Sequence, residues 1–167
     1  MKHGGAKTKA SIKDKDRGFA EMLKRIDRAT VFGAKLEVGI IGEQADAAHI
    51  DDEGNDSGLT IAELGEIHEY GLGVPRRSFI ADWADETEEE HREQIRKMAY
   101  AVVQGKVASW EIGLERLGLR YQAEVQKRIS DGISPALAES TIQRKGSSIP
   151  LIDTGVLRSS ITYKVTR

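Results

Sequence analysis

Between Ser78 and Ile129 two long stretches carry apolar residues at helical spacing, broken only by an acidic run, and they constrain the fold more than anything else in the chain. Phe79, Ile80 and Trp83 open it, followed by Asp85, Glu86, Glu88, Glu89, Glu90 and Glu93. Acid near a helix N-terminus complements the positive end of the macrodipole. Ile95, Met98, Val102 and Val103 make an apolar stripe, and Gly105 marks a break. Val107, Trp110, Leu114, Leu117, Tyr121, Val125 and Ile129 then step by threes and fours, close to a heptad seam. The spacing predicts two long helices, roughly 78–104 and 106–130, with an antiparallel arrangement open to them, and Asp131-Gly132 closes the second.

Shorter elements flank this pair. Phe19, Met22, Leu23 and Ile26 put one apolar face on a helix over 18–31. Lys35–Ile41 alternates through Leu36, Val38 and Ile40, the pattern of a strand that Gly42 ends. The acidic, turn-rich residues 43–59 read as a loop. Thr60 and Glu63 have capping-box spacing for a helix that stops at Gly71, with Ile61, Leu64, Ile67 and His68 expected on one face. Pro75 fixes the turn that follows. Nearer the C-terminus, Ser134 with Pro135 can start a short helix through Ile142, and Asp153 can cap a helical turn carrying Leu157 and Ile161. Ile161–Val165 alternates as a second strand, expected to pair with Lys35–Ile41 because short strands need partners. The expected fold class is α+β. A small, mostly antiparallel sheet is joined to an N-terminal helix and two long helices, in a single domain over 18–167.

Composition narrows the function. In 167 residues the net charge is −2 and only 5% are aromatic, which argues against a bulk electrostatic grip on DNA and against broad stacking platforms. There is no cysteine, so disulfides, thiol catalysis and cysteine-bound zinc are excluded. No apolar run approaches the roughly 20 residues of a membrane span, so no membrane partner is expected. Residues 1–17 carry Lys2, Lys7, Lys9, Lys13, Lys15 and Arg17 against Asp14 and Asp16 and read as a flexible basic arm. No apolar region follows them as a secretory signal requires.

The catalytic vocabulary is sparse. His3 falls in the arm, His49 in the acidic loop and His91 among glutamates on a helix face expected to be exposed. His68-Glu69 supplies half of a zinc-protease signature, but Leu72 stands where the second histidine belongs. Neither reading frame through Asp51, Asp52, Glu53, Asn55 and Asp56 meets the glycine and glutamate positions of a calcium loop. Gly71-Leu72-Gly73 lacks the rest of a phosphate-binding loop. No enzyme, metal or cofactor is expected. The runner-up from these residues is a DNA-binding or regulatory protein using the basic arm.

Three elements carry a family resemblance: His68-Glu69-Tyr70-Gly71, then Pro75-Arg76-Arg77-Ser78-Phe79, then Asp153-Thr154-Gly155-Val156-Leu157-Arg158-Ser159-Ser160-Ile161. In order and spacing they resemble the divergent virion-morphogenesis family of tailed bacteriophages, which includes head–tail joining, tail-completion and tail-terminator proteins. The segments that hold them, residues 60–79 and 150–165, cover about a fifth of the chain, and Arg76 is an extra residue in the second element. The resemblance implies a structural virion protein, made in the host cytoplasm and built into the neck or tail. It implies a homo-oligomeric, hexameric ring bound to connector or tail-tube proteins, with viral DNA passing through. An assembly chaperone is the alternative within this reading. Pro75, Phe79, Asp153, Gly155, Leu157 and Ile161 are expected to be structural, and His68, Tyr70, Arg76, Arg77 and Arg158 are candidate inter-subunit contacts.

Overall fold

The computed structural model describes residues 21, 23–24, 34–51, 54–145, 150–151 and 155–166. The expected arm (1–17), Asp153 and nearly all of the 18–31 helix lie outside them. Of that helix, Glu21, Leu23 and Lys24 are described and are helical. The fold is α+β. Strand β1 (Lys35–Ile40) is followed by a 3-10 turn (Gly42–Gln44), β2 (Ala48–Ile50) and β3 (Asp56–Thr60). Helices α1 (Ile61–Tyr70), α2 (Ala81–Val103), α3 (Trp110–Asp131), α4 (Glu139–Lys145) and α5 (Val156–Ser159) come next, and β4 (Ile161–Thr166) ends the chain's regular structure.

The two strands read from alternation pair as expected. β1 and β4 run antiparallel with Leu36 opposite Val165, Val38 opposite Tyr163 and Ile40 opposite Ile161. These apolar residues share one face, which packs on α3. The seam of α3 is buried as its spacing predicts, through Leu114, Leu117, Tyr121, Val125 and Ile129. Gln126 Nε2 also donates to the Ile161 carbonyl at 3.1 Å, tying helix to strand.

Helices α2 and α3 are antiparallel, since later positions on one meet earlier positions on the other. Glu86 takes a two-pronged bond from Arg128 at 2.6 and 3.0 Å, and Glu90 meets Arg120 at 2.7 Å. Between them Trp83 and Tyr121 pack edge to face, their centroids 5.7 Å apart. His91, expected on an exposed face, instead lies between those rings, 4.7 Å from Trp83 and 4.2 Å from Tyr121, and its Nε2 is 3.4 Å from Glu124. Glu88, Glu89 and Glu90 beside it in sequence are exposed, while the imidazole is partly buried between the two rings. Met98 and Val102 are buried on the α2 stripe as expected, but Ile95 is exposed.

Two other expectations are corrected. Residues 43–59 are not wholly loop, because β2 and β3 form an antiparallel hairpin. Its turn is held by Asp51, whose carboxylate accepts the Asn55 N–H at 2.8 Å and whose N–H donates to the Asn55 carbonyl at 3.0 Å. Both strands are short and largely exposed, so no buried alternation advertises them. The helix expected from Ser134 begins only at Glu139. The Pro135 and Ala136 carbonyls accept bonds from Arg77, while Thr141 and Ile142 start the helix by donating to Ala138.

Among the described residues no helix is long and apolar enough to cross a membrane.

Gly118 sits where α3 crosses β4. A methyl added there would lie 2.3 Å from Tyr163 Cδ2 and 2.7 Å from its Cγ. Because Cγ is at the ring's root, the clash is relieved only by a new χ1 or a helix shift. Gly118→Ala is expected to destabilise the fold by about 1–3 kcal/mol despite alanine's better helix propensity. Urea denaturation showing equal or greater stability would contradict this packing.

The ion pairs around α2 also set a pH dependence. The Arg128 bonds hold the Glu86 carboxyl below its ordinary value, and the Arg76 bonds do the same for Asp82. Burial of Glu124 opposes its charge, but the bonds from Arg120 and His91 outweigh it and again lower the pKa. A depressed carboxylate contributes stability that is fully present above the unfolded-state value, about 4, and is lost as pH falls through the lower folded value. The thermal midpoint should therefore drop on acidification below about pH 4, and Glu124→Gln should blunt the drop.

Candidate functional site

The capping box that starts α1 is formed. Thr60 Oγ1 accepts the Glu63 N–H at 3.2 Å, and the Glu63 carboxylate accepts the Thr60 N–H at 2.8 Å. The helix ends at Gly71 in the left-handed region (φ 72°), where a side chain would press on Arg76 at 2.9–3.0 Å. The buried face of α1 is Ile61, Gly65 and Glu69, and His68 is only half-buried. The expected face of Ile61, Leu64, Ile67 and His68 is thus rotated, since the helix turns an acid inward.

That acid organises the corner. Glu69 is 7% exposed. Its Oε1 accepts from Ser78 Oγ at 2.6 Å and from the Ala81 N–H at 2.8 Å. Its Oε2 accepts from the Phe79 N–H at 2.9 Å and the Ile80 N–H at 3.2 Å. Ser78 Oγ in turn accepts the Asp82 N–H at 2.9 Å. Four N–H groups at and just before the start of α2, those of Phe79, Ile80, Ala81 and Asp82, are therefore satisfied by a carboxylate from the preceding helix and one serine hydroxyl. Charge-assisted bonds and the α2 macrodipole offset the cost of burying the charge.

Arg77, 5% exposed, braces the same corner from the other side. Its N–H donates to the His68 carbonyl at 2.8 Å, its Nε to the Pro135 carbonyl at 2.8 Å and its Nη2 to the Ala136 carbonyl at 3.3 Å. Arg76 lies outside, in a two-pronged ion pair with Asp82 at 2.5 and 3.1 Å. Phe79 is buried, as are Leu157 and Ile161. Gly155 adopts φ 78° just before α5. The first two elements join through Glu69, and the second and third converge one turn earlier on α1 at Gly65, where an added methyl would lie 3.7 Å from both Phe79 Cζ and Leu157 Cδ1.

The candidate contact residues consequently divide. Tyr70 is 67% exposed, with Leu72 beside it at 57%. Arg158 is exposed and reaches Ser130 Oγ at 3.3 Å. Arg77 is occupied within the chain. Glu69 and the bracing role of Arg77 were missed by sequence reasoning. The available signal was the i, i+4, i+8 spacing of Ile61, Gly65 and Glu69, together with Ser78 ahead of an acid-rich helix. Among the described residues no group of three or more His, Asp and Glu side chains is arranged to hold a metal ion.

The chain matches no protein-family model, no curated protein and no solved structure.

Glu69→Gln tests the corner. Whichever oxygen becomes the amide nitrogen, two of the four donors lose their acceptor. Bonds to a charged group contribute about 1.5–3 kcal/mol each, so a loss of roughly 3 kcal/mol is expected in denaturant unfolding. A change under about 0.5 kcal/mol, the scale of an ordinary surface substitution, would show that the carboxylate is dispensable.

Proposed function

We propose that this chain is a non-enzymatic structural subunit of a tailed-bacteriophage virion. It forms a closed ring at the neck or at the end of the tail, connects neighbouring rings and leaves a passage for DNA. The observation that carries this reading is the meeting of the three family-like elements at one braced corner, around Gly65, Glu69 and Phe79. In the family those elements recur together, and here each has a mechanical task. Glu69 and Arg77 fix the angle at which the α2–α3 hairpin leaves α1, and the turn beyond Gly71 presents Tyr70 and Leu72 to solvent. A ring closes only if every subunit offers its two contact surfaces at one fixed angle, so a rigid corner is what heterologous closure demands. The candidate contacts are Tyr70, His68, Arg76 and Arg158, with Arg77 as their internal brace. Hexameric copy number and neck or tail neighbours follow from the resemblance alone.

The basic N-terminal stretch favours a second reading, a DNA-binding protein. That reading requires affinity that falls steeply with salt and disappears when residues 1–17 are removed. An assembly chaperone would be missing from finished particles. The deciding experiment is mass spectrometry of purified virions, quantified against the portal protein, with electron microscopy of the purified chain. A few to a dozen copies per particle and closed rings are the expected result. Absence from infectious particles would overturn the structural reading.

A further inference from the structure

Beside the Glu69 corner an apolar groove of about 220 Å³ opens between α1 and the start of α2. Ile40, Ala62, Gly65, Tyr70, Phe79 and Ile80 line it, and Glu66 stands at its edge. The volume is below the roughly 300 Å³ at which small-molecule sites begin, and suits one or two anchoring side chains.

An apolar stripe able to supply such anchors occurs elsewhere in the same sequence, at Phe19, Met22, Leu23 and Ile26. Leu23 is 44% exposed, so the single chain leaves this position of the stripe largely uncovered. The charges are complementary as well. Residues 1–33 hold nine Lys and Arg against four Asp and Glu, a balance of +5. Residues 34–167 hold sixteen against twenty-three, a balance of −7. Lys24 and Arg25 are interleaved with the stripe and Arg28 follows it, while exposed Glu66 lines the groove and Glu63 lies one turn before it on α1.

We infer that the N-terminal segment of one copy, residues 18–31, seats its apolar stripe in the α1–α2 groove of a neighbouring copy. The occupant is a second copy of this chain, in a helix-in-groove contact anchored by one or two stripe residues and steered by the basic residues beside them. The inference rests on the ring reading and deepens it, because an exchanged arm repeated by rotation links each subunit to the next.

The test uses the full chain carrying the photo-reactive residue p-benzoylphenylalanine at position 23, mixed with an isotopically heavy copy of the unmodified chain. After assembly and irradiation, cross-linked peptides are mapped by mass spectrometry. Light-to-heavy adducts ending on residues 61–70 or 79–81 are the expected result. Ala62→Trp in the heavy chain, which fills the groove from a partly exposed position, should abolish them while leaving the circular dichroism spectrum unchanged. Adducts confined to one chain, adducts elsewhere, or none would overturn the inference. Light scattering on the same samples separates the two claims. A multi-subunit particle without groove adducts removes the arm contact and leaves the ring standing, whereas a monomer removes both.

Discussion

The Glu69 carboxylate joins two helices that otherwise touch little at this point. Its four bonds all go to groups at or just before the first turn of α2. A helix start has N–H groups with no intrahelical acceptor, and burying them unpaired is costly. Here the acceptor comes from the preceding helix, so the angle between α1 and α2 is fixed by the same bonds that make the start of α2 tolerable in the interior. The α2–α3 hairpin and, through Arg77, the loop after α3 are positioned from this point. An apolar residue at position 69 could fill the volume but would leave those donors unsatisfied. A buried charge of this kind thus specifies geometry as well as contributing stability.

What was legible in the sequence was whatever rests on short-range rules. The α3 seam follows from residues three and four apart, the Thr60–Glu63 box from a hydrogen bond three residues long, and the β1–β4 pairing from two alternating runs with no other partners. Each carries its reason within a few residues. The hidden features depend on groups far apart in the chain. Glu69 finds Ser78 across a turn, Arg77 finds Pro135 nearly sixty residues away, and His91 finds Tyr121 on another helix. A buried polar residue and a surface one look alike in a hydropathy pattern, so the pattern put His91 outside and turned α1 toward His68. The β2–β3 hairpin escaped for the opposite reason, since its strands bury almost nothing that alternation could report.

The same asymmetry bears on the candidate interface. The residues that make the three sequence elements recognisable are mostly those that build the corner: Glu69, Arg77, Ser78, Phe79, Leu157 and Ile161 are all buried. A side chain held in this way cannot also be the surface a partner meets. In the proposed ring, contact falls to what the corner presents, namely Tyr70 at the end of α1, Leu72 on the turn, the groove beside them, and Arg158 on the short helix α5. These three side chains are exposed and are not needed to build the corner. The elements on which the proposed class rests therefore carry little information about partners, which that proposal places at the exposed residues around the corner.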